Sequence, residues 1–191
     1  MAEREPLVKD PMNVSVPEME RFVARFEKLR GSEEAFVDSR LPGHRRKKIN
    51  LIGMGVVEAT DKPDLMPNIP APAYGFNLGM IQAEHGNGAA LHSHKTEEVF
   101  MPLKGAWAIL WMTDEGEREI VLQPFDTISV PIGVYRGFRY VGEGVGTLLT
   151  LIGGPDPGKV GWHSSVAEAA EKSGLRRDSS GRLTEIAGQP N

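Results

Sequence analysis

His92 and His94 are separated by a single serine, and Glu98 lies four positions beyond His94. In an extended strand, positions i and i+2 face the same side, with Cα atoms about 6.5–7 Å apart. Two imidazoles so placed can converge on one ion. Glu98 shares their parity, so a strand or tight strand pair through 92–98 can aim its carboxylate at the same point. Two imidazoles and one carboxylate form a donor set of borderline hardness, suited to Fe(II), Mn(II), Ni(II), Co(II) or Zn(II). Three protein donors leave positions open for water or substrate, the arrangement used by non-haem iron oxygenases. A His-x-His pair by itself is equally compatible with ordinary surface or pocket histidines.

The elements that must hold these groups are strands. From about Tyr74 to Ile152 short apolar or alternating runs recur, at 74–83, 89–94, 97–103, 106–112, 118–123, 126–131, 134–141 and 145–152. Turn signals separate them: Gly86-Asn87-Gly88, Lys104-Gly105, Asp114 to Glu117, Pro124 and Gly142-Glu143-Gly144. Many short strands at this spacing predict an all-β sandwich or barrel. An earlier run, 48–58, adds a further strand. No internal repeat is present, so one barrel is expected rather than two.

The spacing around the histidines is more specific than the pair alone. Gly86, five residues, His92-Ser93-His94, three residues, Glu98, six residues and Gly105 resembles the first cupin motif at every fixed position. Asp126, four residues, Pro131-Ile132-Gly133 and two further residues is similar to the second. The resemblance spans about 73–153, and its diagnostic parts are 86–105 and 126–140. It implies a single cupin jelly-roll β-barrel, with His92, His94 and Glu98 as metal ligands. It also implies a wide choice of functions: dioxygenases, isomerases, decarboxylases, sugar-modifying enzymes, storage proteins and ligand sensors.

The chain departs from the motif at position 136, where the last metal-binding histidine is replaced by Arg136, and Tyr140 stands where the family often has Asn. A guanidinium cannot ligate a cation. At ~5 Å from a dication, with an effective dielectric of ~20, the repulsion is on the order of 6–7 kcal/mol. Three arrangements follow. A metal binds His92, His94 and Glu98 while Arg136 swings aside to clamp an acid group of the substrate. Alternatively, Arg136 pairs with Glu98 and no metal is present. In the third, Arg136 points out of the barrel and His163 or a water completes the shell. Tyr140 shares parity with Arg136 and Phe138, so it either offers its phenol to the cavity or lines the barrel with a satisfied hydroxyl. Phe76, Leu78, Met80 and Gln82 alternate, and Gln82 is the polar member if they face inward. Trp107, Ile109 and Trp111 give one strand a strongly apolar face, read as core or as a wall for an aromatic ligand. His44, His85 and His163 fall outside the motifs and are read as structural or exposed.

Flanking segments complete the plan: an N-terminal arm and helix over 1–47, the barrel over 48–160 and a C-terminal helix and tail over 161–191. Ser15 to Glu18 fits a capping box, and Met19, Phe22, Val23, Phe26 and Leu29 follow at helical spacing, predicting an amphipathic helix over 16–30. That stripe must be buried on the barrel or in a homodimer. The run His44 to Lys48 reads as a solvated connector or basic edge, with an anion or nucleic-acid patch as the sharper alternative. Four prolines make 62–72 an extended loop. Ser165 to Glu168 is a second capping box, opening a short helix that Gly174 ends, and 175–191 reads as a polar tail.

The chain of 191 residues carries 40% hydrophobic residues, a net charge of −4 and no cysteine. Disulfides and thiolate metal sites are excluded, and there is no global pull toward nucleic acid or anionic lipid. No stretch approaches the ~20 apolar residues of a membrane span, and the charged N-terminus lacks a secretory h-region. A cytoplasmic location is expected by default. Together these readings predict a metal-dependent, oxygenase-like enzyme for a small organic acid, with an aromatic acid left open. The alternatives are a non-catalytic small-molecule binder with an Arg136–Glu98 pair, and a metal-free isomerase or epimerase.

Overall fold

The structure is a computed structural model that describes residues 13–53, 57–59, 62–70, 75–154, 160–177 and 183–185. Ten strands form two antiparallel sheets: β1 (Lys47–Ile52), β2 (Phe76–Glu84), β3 (Gly88–Ser93), β4 (Glu98–Lys104), β5 (Trp107–Thr113), β6 (Gly116–Leu122), β7 (Ile128–Val130), β8 (Arg136–Tyr140), β9 (Val145–Gly153) and β10 (Gly161–Trp162). One sheet has the order β1-β2-β9-β4-β7 and the other β10-β3-β8-β5-β6. This is an all-β, cupin-type jelly roll, and every expected strand between 74 and 153 is present within a few residues.

The inner faces follow from period-two alternation. On β2, Asn77, Gly79, Ile81 and Ala83 are buried, whereas Phe76, Leu78, Met80 and Gln82 lie on the half-buried outer face. The alternation was legible, but its parity needed the partner strands. At one end of the sandwich Phe100, Trp107, Phe138, Tyr140 and Leu148 form a dense core. Phe100 and Phe138 meet edge to face at 5.3 Å, and Trp107 lies 5.1 Å from Tyr140. The β4–β5 turn is closed by Gly105 at φ +72°, and a side chain there would collide with the Tyr140 ring.

The N-terminal helix is shorter than its periodicity predicts. Helix α1 (Val16–Glu20) has five residues, after which the chain turns and resumes as a 3-10 turn over Phe26–Lys28. The Ser15 amide donates to the Glu18 carboxylate at 2.8 Å, so the capping box forms. Among the described residues nothing covers the stripe, however, and Met19, Phe22 and Phe26 are 51%, 50% and 59% exposed. Without packing, an isolated short helix is marginal in water.

The connector before β1 is no solvated loop. Ala35, Phe36, Val37 and Asp38 are buried against the sandwich, and Asp38 pairs with buried Arg46 at 2.9 Å. Helix α2 (Ser164–Lys172) starts two residues earlier than its capping box suggests, because the His163 ring rather than the Ser165 side chain accepts the end amide. Gly174 at φ +74° ends it. Part of the expected tail is ordered as a hairpin, β11 (Leu175–Arg177) with β12 (Leu183–Glu185). The arm over 1–12 and the segment 186–191 lie outside the described residues.

Candidate metal centre

Two strands, one from each sheet, bring the expected ligands together. His92 is on β3 opposite Arg136 on β8, Glu98 opens β4, and His94 follows β3 directly. All three are buried, at 6%, 6% and 4% exposure. Their ligand atoms lie within 4.8 Å of one another. Glu98 Oε2 sits 3.6 Å from His92 Nε2 and 3.6 Å from His94 Nε2. Donors that share one ion at about 2.0–2.2 Å are about 3–4 Å apart, so the spacing fits a first-row divalent metal.

The hydrogen bonds prepare the site. His92 Nδ1 is 2.8 Å from the Ala90 carbonyl, an acceptor only, so Nδ1 carries the proton. The lone pair of the neutral ring is therefore at Nε2, facing Glu98. Glu98 Oε2 is buried and has no hydrogen-bond partner among the described residues. An orphaned carboxylate oxygen between two imidazole nitrogens is costly unless something cationic fills the gap. Burial holds the His94 pKa down to about 4, against a smaller upward pull from Glu98. For Glu98, burial raises the pKa, but His92, His94 and Arg136 outweigh it and lower it to about 2. Near pH 7 His94 is neutral and Glu98 charged, the states that bind a metal.

Arg136 is fully buried, and its Nε lies 3.3 Å from Glu98 Oε2. Its outer nitrogens donate to backbone carbonyls, Nη1 to Val134 at 3.1 Å and Nη2 to Thr96 at 3.4 Å. The guanidinium lies inside the sandwich, with its outer nitrogens held by backbone carbonyls. It sits beside Glu98, in ion-pair range but without hydrogen-bond geometry, since Nε is itself unpartnered. His163 caps α2 and packs on Tyr135 at 5.1 Å, so it completes no shell.

Two other expected site residues are elsewhere. Tyr140 shares the inward parity of Arg136 but lies four residues down β8, roughly 13 Å along the strand. It is 1% exposed, and its hydroxyl donates to the Glu143 carbonyl at 2.8 Å. Gln82 is outside, next to Lys47 and Glu84. Of the apolar strand, Trp107 and Ile109 belong to the core.

The residues bounding the centre include three that sequence reasoning missed. A cavity of about 30 Å³ is lined by His92, His94, Glu98, Lys48, Arg46 and Trp162, among others. That is room for an ion with about one or two waters, far below the ~150 Å³ that admits a benzene ring. The Lys48 ammonium is 3.4 Å from Thr150 Oγ1. Burial lowers its pKa to about 8, Glu98 pulling the other way. Trp162 stacks on His92 at 5.6 Å, and its indole N–H donates to Glu58 at 2.8 Å. Lys48 and Arg46 sit in a basic run that reads as surface. No sequence signal pointed Lys48 inward: it alternates with the apolar Ile49 and Leu51, yet all of Lys48 to Leu51 is buried.

Comparisons with known proteins agree on the fold. No family model matches the sequence, and no curated protein does. Among solved structures the chain is similar to the polyketide cyclase RemF from Streptomyces resistomycificus, at 19% identity over 73% of this chain and 82% of that one, with a TM-score of 0.51. It is also similar to an oxalate oxidase, at 12% identity over 83% and 68%, with a TM-score of 0.52. A cupin 2 domain-containing protein from Halorhodospira halophila follows at 16% identity over 66% and 77%, with a TM-score of 0.47. The fold is the cupin fold. Within it, the His92, His94 and Glu98 cluster has the composition of a metal site. Among the described residues no helix is long and apolar enough to cross a membrane.

Proposed function

We propose that the protein is a metal-dependent enzyme of the oxygenase type, acting on a small organic acid at His92, His94 and Glu98. The observation that carries this reading is the orphaned Glu98 Oε2, 3.6 Å from both imidazole Nε2 atoms. A divalent ion held there supplies Lewis acidity and, for iron or manganese, redox capacity. The chain's own residues hold the ligand set. Ala90 fixes the His92 tautomer, Trp162 covers its ring, and His92 and His94, with a smaller contribution from Arg136, keep Glu98 ionised. Similarity in fold to an oxalate oxidase is compatible with a small acid, although fold alone selects no reaction. The cavity size argues against the aromatic acid that the sequence left open.

Metal analysis tests the proposal. Protein purified without chelator and reconstituted with Fe(II), Mn(II), Co(II), Ni(II) or Zn(II) should hold one ion per chain. His92→Ala, His94→Ala and Glu98→Gln should each lose it, by at least tenfold in affinity. Absence of any transition metal after reconstitution overturns the reading. That result would favour the second one, a metal-free binder or isomerase, which the 3.3 Å approach of Arg136 to Glu98 supports.

We further propose a homodimer. The exposed stripe of Val16, Met19, Phe22 and Phe26 supports this, since apolar side chains on a short helix gain most by being covered. Light scattering should give twice the chain mass, and a chain beginning at Gly31 should give the single mass.

A further inference from the structure

We infer that Lys48 is the substrate-anchoring residue of this cavity, holding a small carboxylate whose other end faces the His92, His94 and Glu98 centre. This rests on the metal reading above only for the position of that other end.

The case begins with the charges enclosed around the cavity. Asp38 is matched to Arg46 through two hydrogen bonds, Nη1 to Oδ2 at 3.0 Å and Nη2 to Oδ1 at 2.9 Å. Glu98 is in ion-pair range of Arg136. Lys48 shares that same Glu98 as its source of negative field and has no ion pair of its own among the described residues. One carboxylate thus faces two buried cations, and a divalent metal would enlarge the positive excess. A buried charge so placed is expensive unless an anion completes it. Gly79 of β2 lies beneath the Lys48 side chain, and a Cβ there would meet both the ammonium at 2.7 Å and the Ile49 carbonyl at 2.9 Å.

Lys48 has donors to spare. An ammonium carries three N–H groups, and the partner found is Thr150 Oγ1, at a long 3.4 Å. Arg46 Nε is likewise buried without a partner on the same cavity wall. Three unspent donors on two cations, opposite two histidines and a glutamate, describe a receptor for a compact anion rather than for a neutral molecule. The volume of about 30 Å³ restricts it to a few heavy atoms, so formate, acetate and oxalate are the probes of choice. A carboxylate bridging ammonium and ion also does what the fixed Arg136 cannot, since its outer nitrogens are spent on Val134 and Thr96.

The experiment uses the full chain, with Co(II) as the metal probe and acetate, oxalate and neutral acetamide as the ligand probes. Cobalt visible bands report on the metal, and intrinsic fluorescence, to which Trp162 on the cavity wall contributes, reports on the cavity with or without metal. Acetate and oxalate should saturate in the wild type and acetamide should not. Lys48→Met and Lys48→Gln should weaken both carboxylates about ten- to hundredfold, the worth of a charge-assisted hydrogen bond, with cobalt stoichiometry unchanged. Two isosteric variants guard against one that misfolds, and retained cobalt certifies the fold. Equal carboxylate affinity in wild type and variants overturns the inference and leaves the metal centre standing. Failure of the wild type to take up cobalt overturns the metal reading instead; Lys48-dependent fluorescence titration by acetate would then still support the anchor, and its absence would overturn that too.

Discussion

Lys48 holds an ammonium where solvent hardly reaches it, and that has a cost that pH can read. Its ordinary pKa of 10.5 falls to about 8 in the folded protein, because burial outweighs the attraction of Glu98 and Arg46 adds to the lowering. Below about pH 8 folded and unfolded chains both hold the proton, and the full penalty, on the order of 3 kcal/mol, is present. Between about 8 and 10.5 the unfolded chain binds more protons, so stability rises with pH through that window. The groups facing Lys48 are Glu98 from β4, Thr150 from β9 and Arg46 ahead of β1. Lys48→Met should stabilise the metal-free protein by about 2–3 kcal/mol at pH 7, with the advantage gone by about pH 10.5 in urea unfolding. Arg136 gives a second prediction at this scale. Arg136→Met removes a cation 3.3 Å from the proposed ligand oxygen. It should destabilise the metal-free chain by about 3 kcal/mol, since Glu98 loses that partner. Cobalt affinity, measured by chelator competition, should rise at least tenfold.

Strands supply parity, but parity alone does not give height. Arg136, Phe138 and Tyr140 all point inward from β8, yet register sets them at different levels of the sandwich. Arg136 is opposite His92, and Tyr140 is opposite Trp107. The phenol is thus a packing and hydrogen-bonding group of the closed end. Tyr140→Phe should cost about 1 kcal/mol, the worth of its bond to Glu143, in thermal or urea unfolding. Cobalt affinity should not change. The same reasoning explains Gln82, whose alternating neighbours were visible in sequence but whose face was decided by pairing between β1 and β9. At the N-terminus, capping chemistry gave a true start at Ser15, while the length of α1 was decided by packing that is absent there.

Trp162 joins the whole molecule to the site. It packs with Phe36 ahead of β1, with the cluster of Val37 and Ala170, and with that of Leu41 and Val166, besides covering His92. The N-terminal connector and α2 thus meet over the centre through one indole. Trp162→Ala should destabilise the chain by about 2–4 kcal/mol through lost packing. Because it frees one face of the His92 ring, the same substitution should also loosen cobalt, seen as a parallel fall in melting temperature and metal affinity. Loss of stability with cobalt binding unchanged would show that the indole only fills space.

The sequence by itself determined most of the strands and turns and the candidate cluster of His92, His94 and Glu98. Alternation, glycine turns and same-parity spacing are local properties, and local geometry enforces them. It also determined that position 136 could not be a ligand, since guanidinium chemistry does not depend on surroundings. Only the tertiary structure decided where that guanidinium rests, at what height Tyr140 lies, and that Lys48 and Arg46 turn inward. A charged run looks the same whether water or a sandwich interior receives it. The groups that receive these cations are Asp38, near Arg46 in the chain, and Glu98 and Thr150, far from Lys48, which converge only after folding.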